Sequence, residues 1–127
     1  QMEVETWLLT PRMRAAGQAP QRLARASLRD LYWSPTQLIA HHTCNGCNLL
    51  PGDLIGTGTA SGPAEADAGC LLELTERGQK PLTLTNGEQR GWLLDGDELI
   101  IRAHCQREGF VSIGFGECRG TIAPAPR

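Results

Sequence analysis

The chain has 127 residues, 40% of them hydrophobic and 20% charged, with a formal net charge of −2. That length supports one domain, and these ordinary fractions exclude wholesale disorder. No stretch approaches the ~18 uninterrupted apolar residues of a membrane-spanning helix, Glu3 and Glu5 stand where a secretory leader would be apolar, and a slightly acidic balance argues against a general nucleic-acid binder.

Fifteen Gly and eight Pro imply many turns between short apolar runs, which favours a β-rich architecture over a helix bundle. Residues 2–9 alternate like a strand from the first residues onward, which predicts a chain cut from a longer one. Residues 11–29 carry Pro11, Gly17, Pro20 and the arginines Arg12, Arg14, Arg22, Arg25 and Arg29. They read as a solvated connection with one helical turn at most. A nucleic-acid patch is the sharper reading, but no aromatic residue interleaves the arginines.

Ser34-Pro35-Thr36-Gln37 is the clearest local signal. Ser34 caps free amides, Pro35 suits the first helical position and Gln37 completes a Ser-x-x-Gln box, so the spacing predicts a short helix at about 35–43, ended by Asn45-Gly46. Strands are then predicted at 54–59, 70–77, 91–94, 98–105, 110–115 and 118–123. Gly78 and Asn86-Gly87 mark hairpin turns, and residues 123–127 read as a loose tail. Leu49-Leu50-Pro51-Gly52-Asp53-Leu54-Ile55 echoes Leu93-Leu94-Asp95-Gly96-Asp97-Glu98-Leu99-Ile100, which reads as one favoured turn used twice rather than a solenoid.

Three groups could carry chemistry. His41, His42, Cys44 and Cys47 offer nitrogen and thiolate ligands for zinc. Adjacent helical histidines diverge by about 100°, and no second Cys-x-x-Cys or His-x₃-His follows, so a packed turn is the plainer reading. Five cysteines is an odd number, and without a leader they read as free thiols. Gly56-Thr57-Gly58-Thr59-Ala60-Ser61-Gly62-Pro63 fails as a dinucleotide fingerprint, because Ser61 replaces the third glycine, and fails as a P-loop. What remains is a strand edge where backbone and hydroxyls approach a ligand. Glu73, on a strand face with Leu71 and Thr75 opposite Cys70, Leu72 and Leu74, faces solvent or a cleft.

Together these blocks resemble the carboxyl-terminal part of the fumarylacetoacetase (fumarylacetoacetate hydrolase) family. The matching elements are Tyr32-Trp33, Gln37, His41 to Leu49, Pro51 to Leu54, Gly58 to Pro63, Leu72-Glu73-Leu74, Leu94 to Glu98 and Gly114 to Cys118, collinear across almost the whole chain. The resemblance implies an α+β, predominantly β fold: an incomplete mixed β-roll with one short helix, residues 1–127 forming the carboxyl-terminal portion of a catalytic domain. It implies a hydrolase that cleaves the carbon–carbon bond of 4-fumarylacetoacetate to fumarate and acetoacetate in tyrosine and phenylalanine catabolism. By resemblance, Glu73 is the glutamate of a His–Glu dyad that activates water, and Thr59 is a substrate-binding threonine. The family's enzymes are cytoplasmic homodimers that hold Ca²⁺ or Mg²⁺, with no nucleic acid or membrane partner.

The family's catalytic histidine, its metal carboxylates and its oxyanion-binding cations precede the matched blocks. The resemblance therefore places no metal ligand in this chain. Glu3-Val4-Glu5 lies too close to the later motifs to be the family's Glu-x-Glu pair, and His41 and His42 do not match the catalytic histidine. The chain alone is expected to be inactive. A second reading, from a different class, is a free-standing β-rich binding module linked by zinc through Cys44 and Cys47.

Overall fold

The computed structural model describes residues 1–64 and 67–126. The architecture is predominantly β, with few and short helices. β1 (Met2–Leu9), β2 (Gln21–Ser27), β5 (Glu98–Cys105) and β6 (Ile113–Thr121) form a four-stranded sheet in the order β2-β1-β5-β6. All three pairings are antiparallel. β3 (Leu82–Thr83) and β4 (Gln89–Arg90) form a small separate hairpin. α1 (Pro11–Ala15), α2 (Pro35–Thr43) and α3 (Leu71–Leu74) lie between strands.

Register sorts the two faces of the sheet. Thr6 pairs Ala24 and Ile101, and Val4 pairs Ala26 and Ala103, so small and apolar side chains share one face. Glu3, Glu5 and Trp7 share the other with Arg102 and His104. There Arg22 lies 2.9 Å from Glu5, Arg25 pairs Glu3, and the guanidiniums of Arg22 and Arg102 stand 5.8 and 5.1 Å from the Trp7 ring centre. Within the arginine-rich segment the expected helical turn is α1, but residues 21–27 are a strand of the sheet and not a connection. In β2 Arg22 and Arg25 lie on the face opposite Ala24 and Ala26, which are 6% and 7% exposed, and are met by Glu5 and Glu3 of β1. No single exposed pair of this kind contributes more than about 1 kcal/mol.

The core sits where β1 enters α1. Leu8, Met13 and Leu84 are buried together, with Leu9, Leu23 and Leu93 packed around them. Thr10 caps α1 by accepting the Met13 amide at 3.1 Å, with Pro11 at the first helical position. The same hydroxyl donates to Glu88 at 2.5 Å. Glu88 accepts from Arg90 at 3.2 Å, and Arg90 makes a two-pronged pair with Asp97 at 2.8 and 3.1 Å. Asp97 is fully buried and Arg90 is 6% exposed. The Leu94 amide also donates to Asp97 at 2.9 Å. This network fixes the β3–β4 hairpin to the end of β1 and the start of β5.

The echoed turns are one solution used twice. At Leu50-Pro51-Gly52-Asp53 the Asp53 amide donates to Leu50 O at 3.1 Å, and its carboxylate accepts the Leu50 amide at 2.8 Å. Asp97 repeats both bonds with Leu94, at 3.0 and 2.9 Å. Gly52 and Gly96 take the left-handed φ, +100° and +86°, that the third residue of such a turn requires.

The predicted helix at 35–43 is α2, with both halves of the capping box formed between Ser34 and Gln37 and Gly46 left-handed beyond its end. Five predicted strands differ. Residues 54–59 form no strand: no strand among the described residues pairs with their backbone, Gly58 is left-handed (φ 78°), and Leu54 is 99% exposed. Residues 70–77 form α3 and a turn. Leu71 and Leu74 share its apolar side at helical spacing, Leu72 is 46% exposed, and Glu76 and Arg77 are left-handed (φ 47° and 61°). Glu73 therefore shares no strand face with Leu71 and Thr75. Residues 91–94 form no strand: Gly91 and Trp92 make a bend pressed against Gly78, while the hairpin around Asn86-Gly87 forms as predicted. Residues 110–115 and 118–123 resolve into the single β6, which runs through a left-handed Gly116 (φ 76°). The tail lacks regular structure to Pro126, and Arg127 lies outside the described residues.

Two outcomes test the network. Asp97→Asn leaves the Arg90 guanidinium buried without its main counter-charge and is expected to cost about 3 kcal/mol in urea unfolding with an unchanged m-value, the low end for breaking a buried pair because Glu88 remains. An unchanged midpoint would show the pair to be dispensable. The second outcome concerns pH. The Thr10 hydroxyl, then the Asn86 amide, then Arg90 hold the Glu88 carboxyl below the ordinary glutamate value. A lowered folded value stabilises in full above the ordinary range and loses that stabilisation as pH falls through the lowered value. The stability gap between wild type and Glu88→Gln is therefore expected to be full near neutral pH and to shrink on acidification below the glutamate range. A gap that stays constant across that window would mean that the charge of Glu88 is not what its partners hold.

Candidate active-site segment

The site is built on the small-residue face of the sheet. Ala24 and Ala26 leave room that bulkier side chains would fill. Over this face run residues 57–60 and 69–70, leaving a cleft of about 530 Å³ bounded by Thr6, Ala24, Ile101, Thr59 and Gly69. Beside it Leu71 and Leu74 of α3 face Leu23, Leu93 and Leu99 across an apolar groove of about 300 Å³.

Thr59 borders the cleft, and Gly69 joins it to Glu73. A Cβ on Gly69 would lie 2.0 Å from Ala60 O and 2.9 Å from Thr59 Cγ2, so only glycine lets the two backbones approach. The Gly69 amide points at two acceptors, Ser61 Oγ at 3.1 Å and Glu73 Oε2 at 3.3 Å. The Ser61 hydroxyl donates to the same Glu73 oxygen at 2.5 Å. The two sequence-predicted site residues are thus brought to one cluster, Thr59 by packing on Gly69 and Glu73 by hydrogen bonds to it. Sequence reading missed Gly69 and gave Ser61 no role of its own. Ser61 lay in the loop whose hydroxyls could approach a ligand and in the matched Gly58 to Pro63 block, but nothing local marks a contact spanning 12 residues.

α3 has four residues and no side-chain cap, so its position is set from its far end. The buried Thr75 hydroxyl donates toward Leu71 O at 2.8 Å and Gly91 O at 3.1 Å and accepts the Gly78 amide at 2.9 Å. Gly78 in turn lies against Trp92, where a Cβ would meet Nε1 at 2.4 Å.

The histidine–cysteine cluster follows a different geometry. Cys44 Sγ donates to His41 O at 3.0 Å, and Cys47 Sγ lies 3.4 Å from His42 Nε2. Cys44 and Cys47 thus have separate partners. Among the described residues no three His, Cys, Asp or Glu side chains are grouped to hold a metal ion. The described residues therefore group neither the nitrogen and thiolate ligands of a zinc site nor the roughly six oxygen ligands that Ca²⁺ or Mg²⁺ requires. Glu3, the first acid of Glu3-Val4-Glu5, is paired with Arg25, and Glu5, the second, with Arg22. Among the described residues no helix is long and apolar enough to cross a membrane.

The family model described as "Fumarylacetoacetate (FAA) hydrolase C-terminal" matches residues 3–123. The chain is 52% identical to the fumarylacetoacetase of Arabidopsis thaliana over 82% of its own length and 24% of that protein's. It is 48% identical to that of Homo sapiens over 81% and 24% of the two lengths, and 41% identical to that of Dictyostelium discoideum over 99% and 29%. The chain spans about a quarter of the length of the curated relatives it matches. The chain belongs to the fumarylacetoacetate hydrolase family, whose carboxyl-terminal part it matches.

Proposed function

We propose that these residues are the carboxyl-terminal portion of a cytoplasmic, homodimeric fumarylacetoacetase that hydrolyses the carbon–carbon bond of 4-fumarylacetoacetate. The observation that carries this reading is the convergence of Thr59, Ser61 and Glu73 on Gly69 beside a cleft, in a chain of this family. In this reading Glu73 takes the imidazole N–H of a histidine supplied from outside residues 1–127. It orients the ring as general base and stabilises the imidazolium formed when water is deprotonated. Hydroxide adds to a substrate carbonyl, and the adjacent carbon–carbon bond breaks with its electron pair passing to an enolate, which is protonated to acetoacetate while fumarate leaves. Thr59 presents its hydroxyl to the substrate at the cleft wall. A Ca²⁺ or Mg²⁺ ion would belong to segments outside this chain.

In the complete enzyme Glu73→Gln is expected to lower kcat by at least about 10²-fold, the scale of general-base assistance. Its fold should be intact, because the side chain is exposed. Wild-type turnover in that variant would remove Glu73 from the mechanism. The cluster also has a steric test. Gly69→Ala must push the Ala60 carbonyl and Thr59 away, and overpacking of this kind costs about 1–3 kcal/mol. It should reduce both thermal stability and kcat, since a misplacement of about 1 Å is enough to cost activity. A fully active Gly69→Ala enzyme would show that the closeness of these two segments is not needed.

A further inference from the structure

We infer that Ser61 is a positioning residue for Glu73: together with the Gly69 amide it occupies one carboxylate oxygen and leaves the other as the oxygen that works in catalysis. The inference rests on the proposed role of Glu73. An exposed glutamate on a one-turn helix has three rotatable side-chain bonds and no intrinsic reason to hold one direction. Here its Oε2 meets two donors, the Ser61 hydroxyl at 2.5 Å and the Gly69 amide at 3.3 Å. The direction of the hydroxyl proton follows from its neighbours. Ser61 Oγ accepts the Gly69 amide at 3.1 Å, so that lone pair is taken, and its own proton points at the Glu73 oxygen 2.5 Å away. The hydroxyl therefore donates to Glu73. No donor from the described residues reaches Oε1, so the carboxylate is held by one oxygen and presents the other.

This division of labour suits an orienting carboxylate. A group that must hold an imidazole in one orientation is most effective when its own rotamer is fixed before the reaction begins. Ser61 touches neither water nor imidazole in this scheme and acts only through Glu73. Because Ser61, Gly69 and Thr59 belong to one compact cluster, the fixed carboxylate is also held at a constant distance from the cleft wall.

The test is a double-mutant cycle in the complete enzyme with Ser61→Ala, Glu73→Gln and both together, assayed for hydrolysis of 4-fumarylacetoacetate. Ser61→Ala is expected to lower kcat about tenfold, equivalent to about 1.4 kcal/mol of barrier, with KM within about twofold. Ser61→Thr, which keeps the hydroxyl, should restore most of the rate. In the Glu73→Gln background Ser61→Ala should cost nothing further, because groups acting as a unit are non-additive. Unchanged kcat in Ser61→Ala, a rise in KM alone, an additive cycle, no rescue by threonine, or loss of the fold on removing the hydroxyl would each overturn the inference. The underlying reading is tested separately: a fully active Glu73→Gln enzyme refutes the role of Glu73, whereas an impaired Glu73→Gln with a normal Ser61→Ala refutes only the positioning by Ser61.

Discussion

A guanidinium and a carboxylate, both out of reach of bulk water, organise this chain. The two-pronged contact of Arg90 with Asp97 joins the end of the small hairpin to the first residue before β5. Desolvating two charges is costly, and an apolar pair of equal volume could stabilise as well or better. What the pair supplies is location. Asp97 also accepts the Leu94 amide, so the turn it closes has one geometry, and its own backbone carbonyl takes the Ile122 amide at 2.9 Å. The Gly96 amide donates to Ile122 O at 2.8 Å, and Gly96 packs so closely on Pro11 that a Cβ would come within 2.8 Å of it. One buried pair thereby fixes where β4, β5, the end of β6 and the start of α1 meet.

From that junction the sheet presents two unlike faces. The face with Glu3, Glu5, Trp7 and Arg102 is covered by its own cross-strand charges. Each pair is weak, but together they neutralise a segment that would otherwise repel itself. The other face is made of Thr6, Ala24, Ala26 and Ile101, too small to fill the space above it. The cleft exists because of that smallness, and residues 57–60 and 69–70 form its far wall. The arginines and alanines of β2 serve both faces at once, but Arg22 and Arg25 are three residues apart and share a face only because the register shifts opposite Thr6 and Trp7, so the strand shows no clean period of two in the sequence.

The elements legible in sequence were those whose causes are local. The box of Ser34 and Gln37 needs only four residues, the turn at Asn86-Gly87 two, and the alternation in β1 and β5 is strong enough to stand alone. The misread segments owe their form to distant partners. Residues 70–77 carry apolar residues at 70, 72 and 74 that fit a strand equally well, and what decides for a helix is the buried Thr75 hydroxyl reaching Gly91 O, 16 residues away. Residues 54–59 have strand composition but no neighbouring strand among the described residues, and composition cannot supply one. The site behaved in the same way. The proposed roles of Glu73 and Thr59 were legible only as part of a family pattern, Ser61 only as one hydroxyl of a candidate loop and Gly69 not at all, because what joins them lies in contacts across the loop rather than in spacing along it.

The weakest element therefore carries Glu73, the residue proposed to orient the general base. A four-residue helix cannot persist on propensity, since closing one turn fixes several dihedrals for a single hydrogen bond. α3 exists because both of its ends are tied. At the front, Gly69 and Ser61 hold Glu73. At the back, Thr75 grips Leu71 O and Gly91 O, and Gly91 packs within van der Waals reach of Gly78. Gly91 directly follows Arg90, whose side chain is locked to Asp97. The carboxylate is thus linked through Thr75, Gly91 and Arg90 to the buried pair that fixes the sheet. A short helix fastened in this way has little freedom of its own, which is the property an orienting group requires. The rigidity of the site is borrowed from the junction beneath it.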